Sequence, residues 1–126
     1  MRILVDTQAL IWYLEGNVSL SRNKRDVILN RANDVFVSIA SLWEIAIKIS
    51  LGKLKIRGSL TEIIDQLASQ SIDILTIAPG HVLQSANLPL HHHDPFDRMI
   101  IAQSKVEFLT IVTTDPVFAA YGVKAV

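Results

Sequence analysis

Apolar residues along this chain follow two different periods. Residues 2–5, 35–38, 72–77 and 109–113 are short and mostly apolar, the pattern of strands buried on both faces. Between them apolar positions recur at helical spacing. This predicts helices over 7–15, 21–33, 39–51, 60–71 and 79–87, another from the Asp94-Pro95 pair to about 107, and a short one over 116–121. Gly16 and Gly52 stop two of these, Ser21 caps the second, and Ser59 or Thr61 caps the fourth. Lys53, Lys55 and Arg57 alternate with Leu54 and Ile56 between two glycines and read as a solvated hairpin, while residues 123–126 are a candidate edge strand. Strands alternating with helices predict right-handed crossovers and an α/β fold, three-layer α/β/α with a central mostly parallel sheet, in one domain over residues 1–126.

Composition narrows the partners. Half of the residues are apolar, which excludes disorder and points to a sheet covered on both sides or to a sticky interface. No apolar run is long enough to span a membrane, and the opening MRILVDTQALIWYLEG, broken by Asp6 and without a small-residue cleavage site, does not read as a signal peptide. The absence of cysteine rules out disulfides and thiolate ligands and fits a cytoplasmic protein. Twelve basic residues balance twelve acidic ones, which argues against nonspecific coating of nucleic acid by a basic surface.

The acids carry the chemistry. Asp6 closes the first strand, where it serves equally as a helix N-cap or as a ligand-facing carboxylate at the C-terminal end of a parallel strand. Asp115 repeats this after the last long strand, followed by Pro116. Asp97 falls in the first turn of the helix begun by Asp94 and Pro95. Glu44 is harder to explain structurally. Its helix is apolar nearly all round, and Ser41, Glu44 and Lys48 form the one polar stripe on it. A solvent-facing Glu44–Lys48 pair would be worth only about 0.3–0.5 kcal/mol, whereas a buried carboxylate needs a partner. Caps account for three of these acids but leave Glu44 unexplained, so convergence on one site is the stronger reading.

Carboxylates brought together repel, and without a cation some would have to protonate. Oxygen ligands of this kind suit Mg²⁺ or Mn²⁺, and such ions ionise a water and stabilise both oxygens exchanged in phosphodiester hydrolysis. Neither GxGxxG nor GxxxxGK[ST] occurs as a competing motif.

With these residues in view, the segments LVDTQALIWYL, SLWEIAIKISLGKL, DPFDRMIIAQ and TTDPVFAAYGV resemble a PIN domain, in order and over essentially the whole chain. The similarity is greatest to the VapC-like toxins of bacterial and archaeal toxin–antitoxin pairs. The resemblance implies a Mg²⁺- or Mn²⁺-dependent endoribonuclease, usually a homodimer, held inactive by a cognate antitoxin that also binds DNA, so that DNA is met only indirectly. The family's acidic site falls on Asp6, Glu44, Asp97 and Asp115. Asp94 stands close to the place of the third acid, but the spacing to Ile101 and Ala102 favours Asp97 and leaves Asp94 as a cap or a support behind the ligands.

Around these acids, Lys48 and Arg98 are candidates to orient a phosphate or offset charge, and a hydroxyl of Thr7, Thr113 or Thr114 is a candidate to hold a metal-bound water. His91, His92 and His93 are consecutive and cannot all face one ion; contact with RNA or antitoxin suits them better than ligation. Lys53, Lys55 and Arg57 offer a phosphate-contacting rim, and Trp12 and Trp43 read as core or interface residues. Two rival readings are a phosphatase with Asp6 as nucleophile, weakened by Gln8 where a second Asp would be wanted, and a non-catalytic module of a repressor complex.

Overall fold

β1 (Arg2–Val5) lies between β2 (Asp34–Ser38) and β4 (Thr110–Val112), and β3 (Asp73–Leu75) flanks β2, giving the order β3-β2-β1-β4. The computed structural model describes residues 1–126. Every pairing is parallel, so the sheet expected to be mostly parallel is wholly so. Because side chains alternate across a strand, the apolar run of β1 feeds both faces. Ile3 and Val5 enter one core with Val35, Val37 and Val112. Leu4 enters the other with Ile111.

The helices cover those two cores. α1 (Thr7–Glu15), α2 (Arg22–Leu29), α3 (Ile39–Ser50) and α4 (Leu60–Ser69) contribute Leu10, Ile28, Ile45 and Leu67 to the first. α6 (Pro95–Glu107) and the closing 3₁₀ turn Pro116–Tyr121 contribute Ile100, Ile101, Phe118 and Tyr121 to the second, with α5 (Pro79–Ala86) against α6. Each fully buried aliphatic side chain contributes about 1.5–3 kcal/mol, so a charge at Leu4 or Ile45 would unfold the chain.

Four sequence expectations change in detail. The helix expected over 21–33 ends at Leu29, because Asn30 Oδ1 accepts from the Ala32 N–H and Asn33 Nδ2 donates to the Val27 carbonyl, closing a turn. The strand expected over 72–77 shrinks to Asp73–Leu75, the only part opposite β2. Residues 53–57 form no hairpin. Their backbone instead closes α3, with Lys53 and Leu54 N–H groups on the Lys48 carbonyl, while Leu54 and Ile56 pack on the first core. At the C-terminus the edge strand reduces to one bridge, Ile111 to Ala125.

This topology fixes where chemistry can gather. Val5 pairs with Val37 and with Val112, so β1, β2 and β4 end side by side and release Asp6, α3 and the segment 113–115 at one edge.

Candidate active site

Asp6 caps α1 at the edge where the strands end. Its Oδ1 accepts from the Ala9 N–H at 2.8 Å and starts α1, while its Oδ2 accepts from the Thr113 hydroxyl, and only 3% of the residue is exposed. Burial pushes its carboxyl above the ordinary range. The Thr113 hydroxyl and Ala9 N–H oppose that shift, and the charges of Asp115 and Glu44 reinforce it. Thr113 also accepts from the Asp115 N–H at 3.0 Å, so one hydroxyl ties the ends of β1 and β4 together.

Glu44 sits on α3, held there by a helix that Ser38 caps through its Oγ and the Ala40 N–H. Glu44 is 6% exposed. Lys48 Nζ lies 2.7 Å from Oε2, but this is no solvent-facing pair: the Lys48 side chain is half-exposed and that of Glu44 is buried. Glu44 Oε1 is buried without any hydrogen-bond partner. A lone carboxylate oxygen inside a fold is costly unless something joins it.

Asp97 comes from the first turn of α6, which Asp94 caps by accepting from the Phe96 and Asp97 N–H groups. Burial, then the charges of Asp94, Asp6, Glu44 and Asp115, push the Asp97 carboxyl up to about 7. Asp115 caps the 3₁₀ turn through Val117 N–H and is exposed at the mouth. Thus Asp6, Glu44, Asp97 and Asp115, from four separate segments, lie close enough for the other three to raise Asp97.

The side chains do not already close round one point, since no trio of Asp, Glu or His groups is gathered at metal-ligating spacing. In chemistry the set still fits a hard divalent cation: oxygen donors only, an orphaned Glu44 Oε1 and neighbouring carboxyl groups that disfavour one another's ionisation.

Thr7 Oγ1 donates to Ser41 Oγ across the α1–α3 contact, and Thr114 is exposed. Arg98 requires a correction. Its guanidinium donates to the carbonyls of Ser85, Leu88 and Pro89 and to the Tyr121 hydroxyl, so it closes the end of α5 rather than facing the acids. A cation beside an acid in sequence was a poor guide, because unpaired carbonyls at a helix end draw a guanidinium strongly. The three histidines diverge: His91 and His93 are exposed, and His92 is wedged between Tyr121 and Asp97. No local pattern marks His92 or the Thr113–Asp6 bond, which join residues far apart in the chain. Trp43 is 62% exposed, its ring edge-on to Phe96 at 5.5 Å, while Trp12 packs on the first core. Lys53, Lys55 and Arg57 are all exposed.

Comparison with known proteins adds to this geometry. The family described as PIN domain matches residues 3–124. No curated protein sequence matches the chain. Among solved structures, VapBC2 from Rickettsia felis bound to a DNA fragment from their promoter is similar at TM-score 0.73 and 16% identity, covering 100% of this chain and 98% of that one. FitAcB from Neisseria gonorrhoeae gives TM-score 0.65 and 23% identity, covering 98% and 95%. VapBC-1 from nontypeable Haemophilus influenzae gives 0.67 and 13%, covering 100% and 97%. At these identities the likeness is one of fold.

Proposed function

Since the chain belongs to the PIN domain family, we propose that it is a Mg²⁺- or Mn²⁺-dependent endoribonuclease, the toxin of a toxin–antitoxin pair, acting as a single domain in the cytoplasm. Asp6, Glu44, Asp97 and Asp115 would hold the ion. The observation that carries the proposal is the buried Glu44 Oε1, left without a hydrogen-bond partner beside Asp6, Asp97 and Asp115, carboxylates whose mutual repulsion a divalent cation would relieve.

When bound, the ion supplies an ionised water and charge stabilisation at the phosphate. The residues of the chain do the rest. Asp6 is held rigid by Ala9 and Thr113 and keeps its orientation. Glu44 offers its free Oε1, with Lys48 anchoring the other oxygen. One of the four carboxylates would also take the proton of the attacking water. Lys53, Lys55 and Arg57 provide exposed positive charge for an RNA backbone. The rival phosphatase reading lacks a second Asp helper, since Gln8 stands where one would be wanted.

The cognate antitoxin and the homodimer belong to the same proposal. A pocket of about 240 Å³, lined by Ile11, Leu14, Ile45, Ile56 and Ile63 together with Glu15, Arg57 and Gln66, has room for an apolar side chain of an antitoxin segment. Exposed Trp43, Leu51 and Leu83 supply further sticky surface. The complexes of similar fold carry their partners' names, VapBC and FitAcB, and one was solved with promoter DNA; DNA would reach this chain through the antitoxin.

The test is cleavage of a mixed pool of structured and unstructured RNAs with Mg²⁺, Mn²⁺ or EDTA, beside Asp97→Asn. Metal-dependent cleavage that Asp97→Asn loses supports the reading. Equal cleavage by both proteins overturns the site assignment.

A further inference from the structure

We infer that His92 is a positioning residue for Asp97, its imidazole locked by Tyr121 in the tautomer whose Nε2–H faces the Asp97 carboxylate. This rests on the proposed function only in taking Asp97 as a metal ligand.

The tautomer follows from donors and acceptors at one oxygen. Tyr121 Oη lies 3.1 Å from the His92 backbone N–H, 3.3 Å from Arg98 Nη1 and 2.6 Å from His92 Nδ1. The backbone amide and the guanidinium can only donate, so they take the two lone pairs of the hydroxyl. Its single proton is left for the third contact. The other acceptor within reach, the His92 carbonyl, is at 3.4 Å, at the far limit of a hydrogen bond. Nδ1 therefore accepts, and a neutral imidazole then carries its proton on Nε2.

That Nε2 is buried and has no hydrogen-bond partner. It stands 3.5 Å from Asp97 Oδ2. A buried N–H without an acceptor is rare and unfavourable. An approach of roughly 0.5 Å, within reach of a small Asp97 rotation, completes the bond. The frame behind the imidazole is rigid. Tyr121 belongs to the second core, the His91 ring packs edge-on against it at 4.8 Å, and Arg98 is fixed by three backbone carbonyls. With one oxygen held by His92, Asp97 presents the other in a fixed direction and loses less freedom when it takes a cation.

The test measures Mn²⁺ binding without RNA, by the spectroscopic signal of the free ion, for the intact chain and for His92→Ala, His92→Gln and Tyr121→Phe. His92→Ala should weaken Mn²⁺ about 10-fold. His92→Gln, whose amide N–H falls near the place of Nε2, should recover most of that loss, and Tyr121→Phe should fall between. In parallel, ¹⁵N NMR of the unsubstituted chain reads the His92 tautomer directly and needs no variant to fold. The Nε2–H form is expected, and an Nδ1–H form overturns the inference. Unchanged Mn²⁺ affinity in His92→Ala, or no recovery with Gln, overturns it while leaving the nuclease reading intact. Failure of the unsubstituted chain to bind Mn²⁺ overturns the metal site and the positioning role together.

Discussion

Two histidines in this molecule lie against carboxylates, and they differ in one respect. His81, 1% exposed, accepts the Ala78 N–H at Nδ1 and meets Glu107 Oε1 with Nε2, each at 2.9 Å, so it pins the start of α5 to the end of α6 with both nitrogens satisfied. His92 satisfies only Nδ1, and the acid beside it, Asp97, is one that burial and neighbouring charge make reluctant to ionise. A cluster that only holds the fold together closes its hydrogen bonds. A cluster that must receive something keeps valence open, and the open atoms here, Glu44 Oε1 and His92 Nε2, border the acidic edge of the sheet. Gln103 is an exception: its amide donates to the Thr76 carbonyl, its Oε1 has no partner, and nothing in the structure explains it.

The sharpest way to break this comparison is to substitute both sides. Asp97→Asn should lower metal-dependent RNA cleavage by about 10²–10³-fold, the scale of removing one electrostatic stabiliser. The same variant should raise the melting temperature of the metal-free protein at pH 8, because it removes a charge the fold disfavours. His81→Ala should do the reverse. It leaves the Ala78 N–H and Glu107 without their partner and should cost about 2–4 kcal/mol in urea denaturation, with cleavage per folded molecule retained. If both variants lose stability and activity together, the distinction between the two clusters is wrong.

Acidity sharpens the contrast further. Asp97 titrates at about 7 in the fold against an ordinary value of 3.8. Between those values the folded chain holds a proton that the unfolded chain has released. Stability of the metal-free protein should therefore fall as pH rises through that window, and Asp6, raised in the same direction, adds to the fall. Melting curves from pH 4 to 8 in EDTA should show the decline, and Mn²⁺ should reverse it at pH 8; a flat profile would contradict the buried charge excess. The smallest effect is expected from Lys48→Met. It leaves both oxygens of the buried Glu44 carboxylate without a partner, so although the lysine is half-exposed its loss should cost about 1–2 kcal/mol without metal and less with Mn²⁺, read by thermal melting.

Much of this was local and therefore legible in the chain. Apolar runs marked the strands, and Asp6, Asp94 and Asp115 are N-caps whose acceptors bond N–H groups two or three residues on. The oversights were equally physical. Asn30 and Asn33 ended a helix by bonding backbone, and residues 53–57 alternated like a strand although no neighbour was there to pair with them. Arg98 stood beside the acids in sequence and pointed away from them in space.

The amino-acid order by itself determined the strand-helix alternation, the helix starts and the acids placed at them, because these depend on contacts within a turn or on burial of a short run. Only the tertiary structure decided which acids share a field, that Glu44 keeps a free oxygen, and that Thr113 clasps Asp6 across 107 positions and His92 meets Tyr121 across 29. Those depend on how parallel strands end together. Charges and hydrogen bonds act through space, and sequence separation carries no record of it.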